Sequence, residues 1–598
     1  MFAWLGRLFA LFGFLFFLIV VAGAIIAYRE AAPEPVEPQT VVLNIDFTQP
    51  IVEQSTPSPF DIASDDQPIA LIDVLRAIAH AKEDPHVKAI IGHFGAEQPG
   101  LAATQEIRAA LKEFRTSGKP TYAYGTSYGD FGLGNKAYYL ASAFEAIWMQ
   151  PIGSVSLTGI GLQEPFFKTA LDKIGVTADF MQREEYKSFM DMAKHDAFVP
   201  EVRNDMQNLI ADIAAQEADG IAESRGWKAE QVKKLMEEGP YVDDEAMKNG
   251  LVTKLAYQNE LQTEMEQKFG KEVQGVGIDE YLAYRAPKAA KTEQGGDAHK
   301  PVKIAVIYCN GMIMDHAVRQ GLMDDKVVGA DDLSDAFDDA IKDKDVKGIL
   351  FRINSPGGSP EASETIRHAV TEAQAKGKPV YVSMGDMAAS GGYWVAMNAD
   401  HIVADAGSIT GSIGVIAGKF AADGILEKVG AHMDSVKTAD NAGLWSPAEK
   451  FTQHQRDRVN ALLDRSYQYF IKNVADARHL PLDKMPDLAK GRVWSGLQAQ
   501  RVGLVDEVGG LSETLEGLRK KAGIGEKDIV ALSVFPQPET PVQRLLRMLK
   551  SLGLQQAMAM RISSMLGNAQ HVLGPWMPFV THHGATQALL PFNADSLR

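Results

Sequence analysis

Asp84-Pro85-His86-Val87-Lys88-Ala89-Ile90-Ile91 returns 259 positions later as Asp343-Lys344-Asp345-Val346-Lys347-Gly348-Ile349-Leu350. In both places a charged lead-in runs into aliphatic residues, the pattern of a strand buried on both faces. Lys119-Pro120 matches Lys378-Pro379 at the same spacing. Tyr138 then matches Tyr393, Gly159 matches Gly414, and Lys173-Ile174-Gly175 matches Lys428-Val429-Gly430, all 255 apart. The first copy therefore carries four extra residues between about Tyr122 and Asn135. Gly250-Leu251-Val252 closes the series against Gly503-Leu504-Val505, 253 apart. Copies this long are tandem domains, since solenoid repeats have periods of roughly 20–50 residues. Within each copy, β-branched and aliphatic segments alternate with helix-like stretches. That alternation predicts an α/β fold of βα units around a mainly parallel sheet.

The repeat sets the domain limits. Residues 31–285 form the first unit, and they open with a Pro-rich tether at Ala32-Pro33-Glu34-Pro35. Residues 286–302 are rich in Ala, Lys, Gly and polar side chains without an apolar period, which predicts an exposed linker. Residues 303–535 form the second unit, and 536–598 a C-terminal extension. In the extension, Val542 to Leu566 has apolar residues at helical spacing, with Arg544, Arg547, Lys550 and Arg561 interleaved. That pattern serves a packed or oligomeric contact, or alternatively a basic helix lying on an anionic membrane surface.

Residues 1–30 are a membrane segment by the same kind of reading. Leu8 to Tyr28 is an uncharged run of 21 residues, enough helix to cross a hydrocarbon layer of roughly 30 Å. Arg7 precedes it while Arg29 and Glu30 cancel after it, which places Met1 in the cytoplasm and the bulk of the chain outside. A cleaved signal peptide is the alternative, with Ala22-Gly23-Ala24 as its small-residue site, but the run is long for that.

Composition bounds the function. Of the 598 residues 45% are hydrophobic and 23% charged, as in folded globular chains. A net charge of −17 argues against a nucleic-acid partner, which needs clustered cations to displace phosphate counterions. The single cysteine, Cys309, excludes an internal disulfide framework and any multi-cysteine zinc site.

The chemistry-bearing segments lie in the second copy. Ile353-Asn354-Ser355-Pro356-Gly357-Gly358-Ser359 directly follows the apolar strand Gly348 to Phe351. A strand entering Pro-Gly-Gly leaves uncrowded backbone N–H groups able to face an anionic oxygen, although such a segment also serves as a plain turn. Farther on, the strand Tyr381-Val382-Ser383-Met384 leads to Ala388-Ala389-Ser390-Gly391-Gly392-Tyr393 and an apolar helical segment through Met397. Small neighbours let the backbone turn sharply at Ser390 and let a substrate reach its hydroxyl, while the following N–H groups favour negative charge. Ser390 is thus a nucleophile or a helix N-cap. A nucleophile needs a base. His316, His368, His401, His432, His454 and His479 all sit in ordinary polar or helical surroundings, and a lysine whose pKa is lowered by burial is the other option.

Together with Ile409-Thr410-Gly411-Ser412-Ile413-Gly414, the segments around Pro356 and Ser390 resemble, in order and spacing, the long duplicated form of signal peptide peptidase A. The resemblance covers nearly the whole chain and is weakest after Pro536. It implies two tandem crotonase-like domains related to the Clp protease subunit. Ser390 would be the nucleophile, and Lys187, in a Tyr186-Lys187-Ser188 strand of the first copy, its general base. Ser412 would orient the lysine, and Gly357, Gly358 and Gly391 would form the oxyanion hole. Neither cofactor nor metal is implied. The substrates would be cleaved signal peptides and other apolar chains, the assembly a homotetramer, and the location the bacterial inner membrane, single-pass, with the bulk in the periplasm. The internal alignment favours one composite site: at the repeat spacing Ser390 falls on Asn135, Lys187 on Ala442, and Gly357-Gly358 on Gln98-Pro99, so each copy lacks what the other supplies. Two other classes remain, an acyl-CoA enzyme of the crotonase superfamily and a non-catalytic membrane scaffold.

Overall fold

The computed structural model describes residues 38–536 apart from 56–67, 96–97, 130–131, 133, 292–300, 318–326, 429 and 526–527, and it also describes Ala588 and Leu589. The membrane segment, most of the linker and the basic helix expected over 542–566 lie outside the described residues.

The repeated aliphatic segments become the middles of two parallel sheets. In the first, β1 (Val41–Asp46), β2 (Val87–Phe94), β3 (Thr121–Gly125), β4 (Ala146–Met149), β6 (Lys254–Leu255) and β7 (Gln274–Gly277) stand in the order β7-β1-β2-β3-β4-β6. β5 (Thr177–Arg183) leaves that sheet. In the second, β8 (Val302–Asn310), β9 (Val346–Ser355), β11 (Val380–Ala389), β12 (His401–Ala404), β16 (Glu507–Val508) and β17 (Val530–Phe535) stand in the order β17-β8-β9-β11-β12-β16. The second sheet is larger, because β13 (Ile409–Gly411) also pairs with the end of β11 and β15 (Val493–Ser495) lies antiparallel beside β13; with those two set aside, the six shared strands stand in the same order. Register carries the likeness to single residues: Ile90 lies beside Thr121 as Ile349 lies beside Val380, and Tyr122 beside Ala146 as Tyr381 beside His401. The matched tyrosines also play matched parts, Tyr138 donating its hydroxyl proton to the Leu251 carbonyl at 2.9 Å and Tyr393 to that of Leu504 at 2.8 Å.

The two units share apolar interior. One cluster, built on Leu43, Ile45, Ile90, Ile107 and Phe144, continues into Val306, Leu350 and Leu518 of the second copy. A second cluster fills the other face of the second sheet around Phe337, Phe351, Trp394 and Phe470. Helix α4 (Pro200–Arg225), in the first copy, lays Val202, Met206, Leu209 and Ile213 against Ala389, Ile409 and Val493 of the second. The strand that carries the nucleophile candidate is therefore packed from both sides of the repeat.

Where the copies part company, they join each other. β5 pairs antiparallel with β14 (Val415–Ala421), from Thr177 opposite Ala421 to Arg183 opposite Val415. Neither strand has a counterpart at the repeat spacing, for residues 432–438 and 160–166 form no strand. One expectation fails at the domain boundary: helix α5 (Ile278–Lys291) runs on through the first residues assigned to the linker. The Ala and Lys content of 286–291 has high intrinsic helix propensity, which the lack of an apolar period concealed.

Candidate active site

Strand β11 ends at Ala389, and the chain turns at Ser390 into helix α7 (Gly391–Ala396). Ser390 sits at φ 56°, ψ −114°, in left-handed territory that a residue with a Cβ seldom enters. Its N–H donates to the Gly411 carbonyl at 2.8 Å and its carbonyl accepts from Trp394 N–H at 2.9 Å, which hold the turn shut. The hydroxyl makes no capping bond to the helix. It points instead at Lys187, whose Nζ lies 2.6 Å from Ser390 Oγ. Ser390 thus stands at the N-cap position without using its hydroxyl as a cap.

Lys187 reaches this point from the first copy of the same chain. The β5–β14 ladder delivers Arg183 beside Val415, and four residues later the lysine side chain enters the second copy's interior. It does not lie in a strand as the resemblance implies: β5 stops at Arg183, and Tyr186-Lys187-Ser188 follows in a turn closed by Ser188 N–H donating to the Tyr186 carbonyl at 2.9 Å. Both Lys187 and Ser390 are fully buried. Burial alone pushes the lysine's pKa well below its ordinary value, because removing an ammonium from water disfavours its charged form. The neighbouring carboxylate of Glu185 does not oppose this, since it turns outward to bond Lys490 Nζ at 3.0 Å.

Ser412 contributes twice to the amine. Its Oγ lies 2.9 Å and its carbonyl oxygen 3.0 Å from Lys187 Nζ. A neutral amine has two N–H donors and one lone pair. Directed at the two Ser412 oxygens, the donors leave the lone pair facing the Ser390 hydroxyl. Ser412 itself sits at φ 49°, and its N–H is anchored on the Arg492 carbonyl at 2.7 Å.

The Pro-Gly-Gly segment forms the short strand β10 (Gly357–Gly358) beside the helix that follows Ser390. A Cβ on Gly391 would lie 2.9 Å from the Gly358 nitrogen, so the two backbones meet without room for side chains. A Cβ on Gly358 would fall 1.9 Å from the Ile313 carbonyl oxygen, which requires glycine there. The Gly357 N–H is already engaged, donating to Ser355 Oγ at 3.2 Å. All three glycines anticipated for an oxyanion hole thus lie together, a Cβ on Gly391 also falling 3.0 Å from the Gly357 Cα, and of their N–H groups that of Gly357 is bonded to Ser355. Ala588–Leu589 lies antiparallel along this edge, Leu589 opposite Gly357 and Ala588 opposite Gly358.

Among the described residues the first copy shows no such centre. Asn135 occupies the start of its matching helix α3 (Asn135–Ala141), where its side-chain oxygen accepts from Thr158 N–H at 2.9 Å and from Gly159 N–H at 3.3 Å. Its amide is spent on holding a loop. Ala442, at the repeat position of Lys187, lies exposed in a 3₁₀ turn. Sequence reasoning missed Ser355, which braces the glycine strand, and the turn Lys490-Gly491-Arg492, which touches both Lys187 and Ser412. Ser355 stood inside the Pro-Gly-Gly segment without a role of its own, and the turn carries no motif and lies just over 300 residues from Lys187.

A family model described as Peptidase family S49 matches residues 113–273 and 372–525, one stretch in each copy and together more than half of the chain. The chain is 33% identical over 465 residues to Protease 4 of Haemophilus influenzae, covering 75% of this chain and 72% of that one. It is 33% identical over 460 residues to Protease 4 of Salmonella typhi, covering 75% and 71%. It is 29% identical over 469 residues to the chloroplastic serine protease SPPA of Arabidopsis thaliana, covering 78% and 68%. Among solved structures, a ClpP1 mutant from Listeria monocytogenes matches with 15% identity over 35% of this chain and 94% of that chain, with a TM-score of 0.23.

Proposed function

The chain belongs to peptidase family S49 and is a serine peptidase, and from that premise we propose a membrane-anchored endopeptidase in which Ser390 and Lys187 act as a dyad on signal-peptide remnants and other apolar peptides of the cell envelope. The observation that carries the reading is the 2.6 Å approach of a fully buried amine to a fully buried hydroxyl. A lysine held neutral by burial is a base able to work near neutral pH, and the hydroxyl beside it is otherwise a weak nucleophile.

As Ser390 Oγ attacks the scissile carbonyl carbon, Lys187 Nζ takes the hydroxyl proton and a tetrahedral intermediate forms. Its oxyanion is held by the N–H groups of Gly358 and Gly391, with the helix N-terminus adding a favourable dipole. The Lys187 ammonium then gives its proton to the departing amine as the C–N bond breaks. Water attacks the acyl-serine, losing a proton to Lys187, and as the second tetrahedral intermediate collapses the Oγ–C bond breaks and Lys187 returns that proton to Ser390. Ser412 keeps the lone pair aimed throughout. An extended substrate is supported by the edge at Gly357–Gly358, which takes Ala588–Leu589 as an antiparallel neighbour.

In this reading residues 31–285 supply the lysine and 303–535 the serine, residues 1–30 hold the enzyme in the bacterial inner membrane with its bulk in the periplasm, and the chains assemble as homotetramers. An anchor suits a substrate left in the bilayer. The test is incubation of the full-length protein in phospholipid vesicles with a synthetic apolar signal peptide. Internal cleavage that disappears in Ser390→Ala supports the proposal. Hydration of an enoyl-CoA thioester with no peptide cleavage would contradict it.

A further inference from the structure

The amine of Lys187 must be held in a buried position by something outside its own turn, and one short segment of the second copy lies against the lysine's backbone and bonds the residues on either side of the dyad. Lys490 and Gly491 are consecutive residues with positive φ, 62° and 81°. The Lys490 carbonyl accepts from Tyr186 N–H at 3.1 Å. The Gly491 N–H donates to the Ile413 carbonyl at 2.9 Å, and the Arg492 carbonyl accepts from Ser412 N–H at 2.7 Å. The turn is therefore stitched at one end to the residue before the lysine and at the other to the serine that orients it. Space is as tight as bonding: a Cβ on Gly491 would lie 2.5 Å from the Lys187 nitrogen and 2.7 Å from its Cα. Any other residue there displaces the lysine backbone.

The side chains pin the turn in turn. Lys490 Nζ pairs with Glu185 at 3.0 Å, and the Lys490 N–H donates to the Tyr467 hydroxyl at 3.3 Å. Arg492 pairs with Asp205 of α4 at 2.9 Å and stacks its guanidinium 4.5 Å from the Tyr186 ring. Around Lys187 stand Glu184, Glu185, Lys490, Arg492 and Asp205, of which Glu185 pairs with Lys490 and Asp205 with Arg492 rather than with the amine. Among the described residues five non-glycines have positive φ, and Ser390, Ser412 and Lys490 are three of them. Strain of this kind persists only where surrounding contacts impose it, and it gathers at working sites.

We propose that Lys490-Gly491-Arg492 is a positioning clamp, which seats the general base of the first copy against the serine of the second and keeps its amine out of water. The proposal rests on the Ser390–Lys187 reading above. It makes Gly491 and Arg492 positioning residues, acting through Lys187 and Ser412.

The test uses the full-length protein with a fluorogenic peptide across a pH series. Gly491→Ala should leave KM near its original value and lower kcat about a hundredfold, the scale of a catalytic group misplaced by roughly 1 Å. Its acidic limb should also move to higher pH, because a displaced and better-hydrated amine recovers its ordinary affinity for protons. Arg492→Gln spares the backbone, so it serves if the alanine variant fails to fold. It should shift the same limb in the same direction by a smaller amount. Unchanged kcat and an unmoved limb in a folded Gly491→Ala protein, or an unmoved limb in Arg492→Gln, would overturn the clamp. Those results with an inactive Lys187→Ala control reject the clamp alone, whereas an active Lys187→Ala control rejects the dyad itself.

Discussion

In the proposed dyad Lys187 acts as a base only because it is buried, so its burial must cost stability in a way that pH reveals. In the unfolded chain the amine titrates near its ordinary value, whereas in the folded chain its pKa is depressed well below that. Between the two values the unfolded state binds one more proton, so stability rises with pH through that window. The slope for one proton is about 1.4 kcal/mol per pH unit. Lys187→Met keeps the apolar stem and deletes the titration. Urea unfolding of the variant, followed from neutral pH up towards the ordinary lysine pKa, should therefore lose slope relative to the parent and show a more stable fold at the low end of the range, and an unchanged slope would mean that the lysine is charged in the native state. Ser412→Ala should reduce kcat less than Lys187→Ala, since it misaims the lone pair without removing it. Ser390 was legible from its small neighbours and the apolar helix after it. Lys187 was not: a lone lysine in a polar stretch looks solvated, and only the family motif singled it out.

The strands that join the two copies are where local sequence says least. β5 and β14 pair across more than 230 residues, and no periodicity within either segment encodes its partner. The parallel sheets, by contrast, were legible because duplication writes the same aliphatic segments twice. Gly418 is the tightest point of the joining ladder: a Cβ there would meet the Asp179 carbonyl oxygen and the Phe180 Cα, each at 2.4 Å. Gly418→Ala should push β5 outward, and the lysine turn begins directly after that strand. Overpacking of this sort costs about 1–3 kcal/mol. The expected outcome is a folded enzyme with a modestly lower Tm and a far larger loss of kcat, as measured by calorimetry and peptide hydrolysis. Equal, small losses in both would mean that the ladder does not position the lysine.

The whole molecule depends on the two copies staying in one register, and a buried ionic cluster contributes to that. Arg352 of the second sheet, fully buried, bonds Glu53 at 2.8 and 2.9 Å and Glu106 at 2.7 Å, both in the first copy. Removing the cation leaves two carboxylates buried without their partner, which costs about 3–5 kcal/mol. Arg352→Leu should lower the urea midpoint accordingly, and Arg352→Lys should recover only part of it because a single ammonium cannot reproduce the planar fork that grips Glu53 with two bonds and Glu106 with a third. A midpoint unmoved in the leucine variant would show that the cluster is not needed to hold the copies together. The duplication and the lack of a second centre were visible in the sequence, since Asn135 and Ala442 stand where a nucleophile and base would be. That the composite site closes within one chain was not visible, because spacing along the chain says nothing about which copy of a lysine arrives. The most direct test of the central claim is the rate at which a fluorophosphonate labels full-length protein, with the modified residue located by mass spectrometry. The label should fall on Ser390, its rate should rise with pH as Lys187 loses its proton, and the Lys187→Met variant should label at background rate. Labelling of Ser390 at an undiminished rate in that variant, or a label on another serine, would contradict the account.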